Sequence, residues 1–235
     1  MLSVIILCGG KNSRIQKYNK EIIKPLIVFK KLTLLEHHLQ KIKVIKKKNV
    51  FINLHKNIKK FTTLKKKKKL NFNIIYEKNI LGTAGVVISN IKKFNNDILV
   101  LYGDNYINYN IKNFINFFNK TNTDLLIGVF LKKDLSQSGL IKFGLSKKIV
   151  KIEEKNNLNK NLTSFCNGGI YLFKKHILRK FKKNKFLDFS SDVFPKILLK
   201  YNCRAYRINY CKSFDTEYLY KKNLIISKTR SNVSN

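Results

Sequence analysis

The feature that most constrains this chain is a rhythm in its first ~130 residues: short, β-rich apolar runs alternate with stretches whose apolar residues keep helical spacing. Residues 3–8 form the first run and stop at Gly9-Gly10, which reads as a buried strand meeting a loop. Thr33 precedes a helical stretch with Glu36 three residues on, a capping-box pattern, and Leu35, Leu39, Ile42 and Ile45 repeat on one face. Residues 49–54 and 72–76 read as strands with a lysine-rich helical stretch between them. A helix opens at Gly82-Thr83, a strongly apolar strand over 97–102 ends at Gly103-Asp104-Asn105, and a helix over 110–118 leads to a strand over 125–131.

Strands separated by helices must run parallel, with helices on both faces. The class that follows is α/β, with a doubly wound, mostly parallel sheet. After Gly139 the pattern changes. Residues 140–143, 149–153 and 164–173 are strand-like with fewer helices between them, which predicts a mixed or antiparallel C-terminal extension. A helix over 190–200, a strand over 204–209 and an amphipathic stretch over 217–226 complete the pattern. There is no internal repeat and no linker, so the expectation is a single domain over 1–226 and a frayed polar tail over 227–235.

The 49 basic and 13 acidic residues give a formal charge of +36, which invites a nucleic-acid reading. The composition argues otherwise. Of the 49, 44 are Lys and 5 are Arg, and Lys, Asn and Ile together fill 102 of 235 positions, as A/T-biased coding would produce. Base readers favour Arg, and the strongest run, residues 65–69, lies where a solvated loop is expected. The charge still concentrates anionic substrates near the surface. No apolar run is long enough to span a membrane and the N-terminus lacks a basic signal-peptide region, so a cytoplasmic protein with no membrane partner is expected. Cys8, Cys166, Cys203 and Cys211 are scattered without metal or disulfide spacing and read as free thiols; the four histidines show no ligand pattern.

Open α/β sheets bind ligands at the carboxyl ends of their strands, and two segments fall there. In Leu7-Cys8-Gly9-Gly10-Lys11-Asn12-Ser13-Arg14, glycines allow backbone N–H groups to approach phosphate oxygens and Arg14 adds a fork of donors. In Gly103-Asp104, a carboxylate stands at a strand end, where it suits Mg²⁺ shared with phosphate oxygens. Lys24-Pro25 lies close enough in sequence to join such a pocket. Neither G-x-x-x-x-G-K-[ST] nor G-x-G-x-x-G occurs, which disfavours P-loop and Rossmann dinucleotide sites.

Taken in order, these pieces resemble the sugar-1-phosphate nucleotidylyltransferase family. Residues 7–14, Lys24-Pro25-Leu26, Leu81-Gly82-Thr83-Ala84-Gly85, Gly103-Asp104-Asn105, Glu153-Glu154-Lys155 and Asn167-Gly168-Gly169-Ile170-Tyr171 match its successive signatures from residue 3 to about 225. Within the family the chain looks nearest the short heptose- or mannose-1-phosphate guanylyltransferases. The resemblance implies Mg²⁺-dependent transfer of a nucleotide from an NTP to a sugar 1-phosphate. It also implies roles. Leu7, Gly9 and Gly10 would hold the nucleotide, with Gly82 and Thr83 lining the base pocket. Arg14 would meet the leaving phosphates, Lys24 would bridge the reacting ones, and Asp104 would hold Mg²⁺. Gly139, Glu154, Lys155 and Asn167 would hold the sugar phosphate.

The sequence also departs from the family pattern. Asn12-Ser13 replaces the usual Gly-Thr, and Asn156 replaces a frequent proline. The family's second metal-binding stretch is shortened to Ser213-Phe214-Asp215-Thr216-Glu217, so either Asp215 or Ser213 occupies the ligand position. Asp215 is favoured, because one carboxylate would hold Mg²⁺ loosely. A silent regulatory member of the family and a basic nucleic-acid-binding domain are the alternative functions. The base, the sugar and any homo-oligomer are left open.

Overall fold

The computed structural model describes residues 1–10, 13–95, 97–132, 139–153 and 163–231, with the side chains of Ser13 and of 226–231 outside that description. Nine strands form its main sheet. In chain order they are β1 (Leu2–Leu7), β2 (Lys48–Leu54), β3 (Asn73–Tyr76), β4 (Asp97–Tyr102), β5 (Leu125–Lys132), β6 (Leu140–Phe143), β7 (Ile149–Glu153), β8 (Ser164–Lys174) and β9 (Cys203–Arg207). Across the sheet the order is β3-β2-β1-β4-β8-β5-β9. β1 is parallel to β2 and β4, β2 to β3, and β5 to β9, whereas β8 runs antiparallel to both its neighbours. The β6–β7 antiparallel hairpin joins β8 through the Cys166–Leu140 pairing. The parallel sheet and its mixed extension therefore match the expected class.

Central position explains the sequence of β1. Val4, Ile5 and Ile6 are all fully buried, because a parallel strand is covered on both faces and has no need of polar alternation. Val4, Ile6, Leu99 and Leu101 face one layer, with Leu35 and Leu39 of the helix Leu34–Lys41 and Phe114 and Phe118 of the helix Ile111–Lys120. Ile5, Ile98 and Val100 face the other, with Val86 to Ile88 of the helix Gly82–Ser89 and Phe194 of the helix Phe194–Leu198. The Thr33 capping box is formed: the Glu36 amide donates to Thr33 Oγ1 at 3.1 Å and the Thr33 amide to Glu36 Oε2 at 2.9 Å.

Three features were not anticipated. The helix expected over 190–200 is divided into a π-type turn at Phe189–Val193 and the helix Phe194–Leu198. Pro195 lies in the first turn of the second piece, where its missing N–H costs no hydrogen bond. The last helix runs Glu217–Ser231, past residue 227 where fraying was expected; the Leu219 amide donates to Thr216 Oγ1 at 3.3 Å near its start. Two small antiparallel ribbons, Val28–Phe29 with Leu32–Thr33 and Asn105–Asn108 with Tyr210–Ser213, flank the sheet.

These ribbons share a small core of Ile27, Phe29, Leu34, Tyr106 and Phe214. Phe214 is fully buried, with its ring edge-on to Phe29 at 5.6 Å between centroids. Replacing Phe214 by Ala should therefore destabilise the chain by roughly 3–5 kcal/mol. The shift of the urea midpoint at constant m-value measures this.

Candidate active site

Parallel strands deliver their carboxyl ends to one edge of the sheet, and the reversed β8 brings its beginning to the same edge. There the Gly103 amide donates to the Leu7 carbonyl at 3.0 Å, tying the loop after β1 to the turn after β4. An open cleft of about 640 Å³ lies above this edge, with Arg14, Lys24, Asp104, Gly139, Asn167 and Asp215 among its lining residues.

At its centre, the Lys24 ammonium donates to Asp104 Oδ2 at 3.0 Å and to Asp215 Oδ1. Arg14 donates to the other Asp215 oxygen at 3.3 Å. Residues 14, 24, 104 and 215 thus meet at one point. Lys24 sits in a tight turn, Lys24–Leu26, that includes Pro25, and its side chain is only 9% exposed. Burial by itself would lower its pKa, but the charges of Asp104 and then Asp215 outweigh that and hold it above its ordinary value. For Asp215, burial works upward; the Lys24 charge and hydrogen bond, followed by Arg14, bring the carboxyl below its ordinary value. Asp215, not Ser213, meets Lys24. The Ser213 hydroxyl instead accepts from the Asp215 amide at 3.3 Å. The burial of Phe214 in the small aromatic core fixes the residue beside it, and Asp215 faces the cleft.

Asp104 and Asp215 converge on a single cation while remaining open to the cleft, an arrangement that fits a hard dication using one or two protein carboxylates plus phosphate oxygens. Among the described residues there is no cluster of three or more His, Cys, Asp or Glu suited to a metal.

Two loops flank this cluster. Gly9 lies against Asn53 and Glu77; a Cβ there would come within 2.5 Å of Asn53 Nδ2 and 2.6 Å of Glu77 Oε1. Asn53 accepts from the Cys8 amide at 2.8 Å and donates to Glu77, whose other oxygen accepts from the Leu81 amide at 3.2 Å. A buried carboxamide–carboxylate pair therefore joins the Gly9-Gly10 loop to the Leu81-Gly82-Thr83 loop. Gly82 has φ +77°, and a Cβ would lie 2.5 Å from the Leu187 carbonyl oxygen. Thr83 donates to Asp188 Oδ2 at 2.7 Å and accepts from the Phe189 amide at 3.0 Å.

On the opposite wall, β8 carries two extra residues between Asn167, which pairs with Val129, and Tyr171, which pairs with Ile127. Gly169, with φ +68°, makes this bulge, and the Gly169 amide donates to Asn167 Oδ1 at 3.0 Å. Asn167 is held against the Tyr171 hydroxyl at 2.8 Å, and its amide donates to the Gly139 carbonyl at 3.0 Å. Glu154 and Lys155 lie outside the described residues, as do Lys11 and Asn12. Sequence reasoning missed Asn53, Glu77 and Asp188. The first two stand at the carboxyl ends of β2 and β3, where the strand-end rule could have found them; no sequence signal marks Asp188.

A charged cleft at the carboxyl edge of a mostly parallel sheet is where α/β folds bind ligands, and similar proteins give this chain its class. The nucleotidyl transferase family model matches residues 3–211, and the chain belongs to that family. A provisionally named mannose-1-phosphate guanyltransferase of Sulfolobus acidocaldarius is 26% identical over 86% of this chain, which spans 56% of that protein's length. The D-glycero-alpha-D-manno-heptose 1-phosphate guanylyltransferase of Campylobacter jejuni is 26% identical, with 83% of this chain and 88% of that one covered. The crystal structure of HddC from Yersinia pseudotuberculosis complexed with GMP-PN has the same fold, with a TM-score of 0.78 at 22% identity over 96% of this chain and 99% of that one. No described helix is long and apolar enough to cross a membrane.

Two outcomes follow from the local geometry. Gly82→Ala should lower the melting temperature, at a cost of at least about 1 kcal/mol for a left-handed non-glycine residue. Gly10→Ala, whose Cβ would meet nothing within 4 Å, should be near neutral. His38 is buried beneath the Asp104 turn, its Nε2 2.9 Å from the Asn105 carbonyl oxygen. Burial, reinforced by the charges of His37 and Lys41, drives its pKa from 6.5 to about 4, against the pull of the Asn105 and Tyr102 carbonyls. The neutral native imidazole stabilises the fold above pH 6.5. That contribution, roughly 3 kcal/mol, is lost as pH falls through 4. Urea unfolding between pH 7 and 4 should show this loss, and His38→Gln should flatten that part of the profile.

Proposed function

We propose that the cleft transfers a nucleotide from an NTP to a sugar 1-phosphate, forming a nucleotide sugar and releasing pyrophosphate. A phosphate oxygen of the sugar 1-phosphate attacks the α-phosphorus in line, and the bond from that phosphorus to the β-phosphate oxygen breaks. The observation that carries this reading is the meeting of Lys24, Asp104 and Asp215 at the carboxyl edge of the sheet, with Arg14 on its rim. Phosphoryl transfer asks little covalent chemistry of the protein; charge neutralisation and alignment supply most of the acceleration.

Each residue then has a task. Leu7, Gly9 and Gly10 hold the nucleotide by backbone groups, and Gly82 and Thr83 line the base pocket. Arg14 neutralises the leaving pyrophosphate, and Lys24 bridges the reacting phosphates. Asp104 and Asp215 hold Mg²⁺, which when bound offsets charge on the phosphate oxygens. Gly139 and Asn167, with Glu154 and Lys155, take the sugar phosphate. A guanine base and a hexose or heptose 1-phosphate are the substrates we favour; the names of the relatives from Sulfolobus and Campylobacter support both. The meeting of Arg14, Lys24 and Asp104 with Asp215 supports an active enzyme over a silent member, the reading that the shortened 213–217 stretch favours.

Thermal unfolding with GTP, ATP, CTP, UTP or dTTP, with and without Mg²⁺, tests the proposal. One nucleotide at a hundred times its Kd should stabilise the protein by roughly 2.7 kcal/mol. Asp104→Asn and Asp215→Asn should each remove the Mg²⁺-dependent part, while Ser213→Ala should retain it. Equal shifts with heparin and every nucleotide, unchanged by either aspartate variant, would mean that the lysines bind any polyanion, and the transferase reading would fail.

A further inference from the structure

Behind the loop expected to hold the base lies a second cavity of about 410 Å³. Its floor is apolar, formed by Ile177, Phe181, Leu187 and Ile197. Lys180, Lys182, Lys185, Lys196 and Lys200 also line the cavity, largely by their hydrocarbon stems, and no acidic residue does among the described residues. Five lysines among ten lining residues exceed what 44 lysines in 235 positions would place there by composition. Tyr201, which also lines the cavity, has a buried hydroxyl with no hydrogen-bond partner among the described residues. The volume is that of a small-molecule site.

One stretch of backbone, Leu187-Asp188, touches both this cavity and the active cleft. Leu187 lines the cavity, while its amide donates to the Leu81 carbonyl at 2.9 Å and its carbonyl accepts from Ala84 at 2.9 Å and Gly85 at 3.0 Å. The next residue, Asp188, lines the active cleft and is bonded to Thr83. A group that displaces Leu187 therefore displaces the Gly82-Thr83 loop.

We propose that this cavity binds a phosphate monoester with a hydrocarbon body, and that its occupancy changes nucleotide affinity through Leu187. The chemistry of the lining selects this class. Five lysines around one cavity supply like charge that no acid of the described lining offsets, and a phosphate monoester brings about −1.5 to −2 charges at pH 7 to do so. A nucleobase on the apolar floor would leave its polar edge unpaired, whereas a hydrocarbon chain has nothing to leave unpaired. The coupling rests on the reading of Gly82 and Thr83 as the base pocket; the binding does not.

Octyl phosphate is the probe, titrated calorimetrically without nucleotide against octanol and inorganic phosphate. One octyl phosphate per chain should bind at least tenfold tighter than either fragment. The triple variant Lys182→Gln, Lys196→Gln, Lys200→Gln should weaken it at least tenfold. A charge-matched control, Lys66→Gln, Lys67→Gln, Lys69→Gln, should leave it unchanged. At saturation, octyl phosphate should shift the Kd of the nucleotide at least threefold, and the nucleotide should shift octyl phosphate by the same factor. Binding no tighter than inorganic phosphate, or equal losses in the two triple variants, would overturn the site. An unchanged nucleotide Kd at saturation would overturn the coupling. Because the first titration contains no nucleotide, its failure is separate from any failure of the transferase reading.

Discussion

A single ammonium group closes this fold's functional edge. Lys24 Nζ joins residues that lie 80 and 191 positions away in sequence, and no other described group bonds both Asp104 and Asp215. Buried ion pairs contribute little net stability, because desolvation offsets much of their attraction; removing one partner, however, leaves an uncompensated charge. The cluster of Arg14, Lys24, Asp104 and Asp215 sums to zero inside a chain of formal charge +36. Its value lies in position. It holds both carboxylates at one point in the cleft, and on the proposed function little reorganisation is left for the moment of reaction.

Around this ion-paired point, packing and backbone bonding set where its residues stand. The Leu7–Gly103 bond fixes the turn that carries Asp104 to the end of β1. Phe214, buried beside Phe29, fixes the chain beside Asp215. The Gly168–Gly169 bulge lets β8 approach Gly128 and Tyr102 where a side chain would collide, and the chain at Asn167 is re-aimed as a result. The glycines and aromatics that look unrelated to chemistry in the sequence are therefore the supports of the charged residues.

How much was legible follows from the range of each interaction. Strands such as β1 and β4 could be read because their apolar runs and their Gly-rich ends are local signals. Asp104 could be placed at the edge because strand direction decides it, and Lys24 beside it by closeness in sequence to Arg14. The ribbon Val28–Phe29 with Leu32–Thr33 was missed, since its turn puts Lys30 and Lys31 at φ +49° and +69° without the Asn-Gly that normally marks such a turn. The break after residue 193 was missed because periodicity continues through it, and only Pro195 hinted at a new start. Glu77 and Asn53 were missed for a different reason. Their strand-end positions are visible in the sequence, but their task, holding two loops against each other, is a relation between β2 and β3 that no spacing along the chain encodes.

The scarcity of acid gives the site its contrast. Only 13 carboxylates accompany 49 basic residues, yet Asp104, Asp188 and Asp215 line the cleft and Glu77 braces the loop beside it. On a surface dominated by lysine, the long-range field attracts any polyanion and distinguishes none. Discrimination must come from groups that accept hydrogen bonds or hold a dication. On the proposed function, a lysine-rich exterior that gathers anionic substrates and a carboxylate-bearing cleft that sorts them are two halves of one electrostatic arrangement, the first screened more strongly by salt than the second.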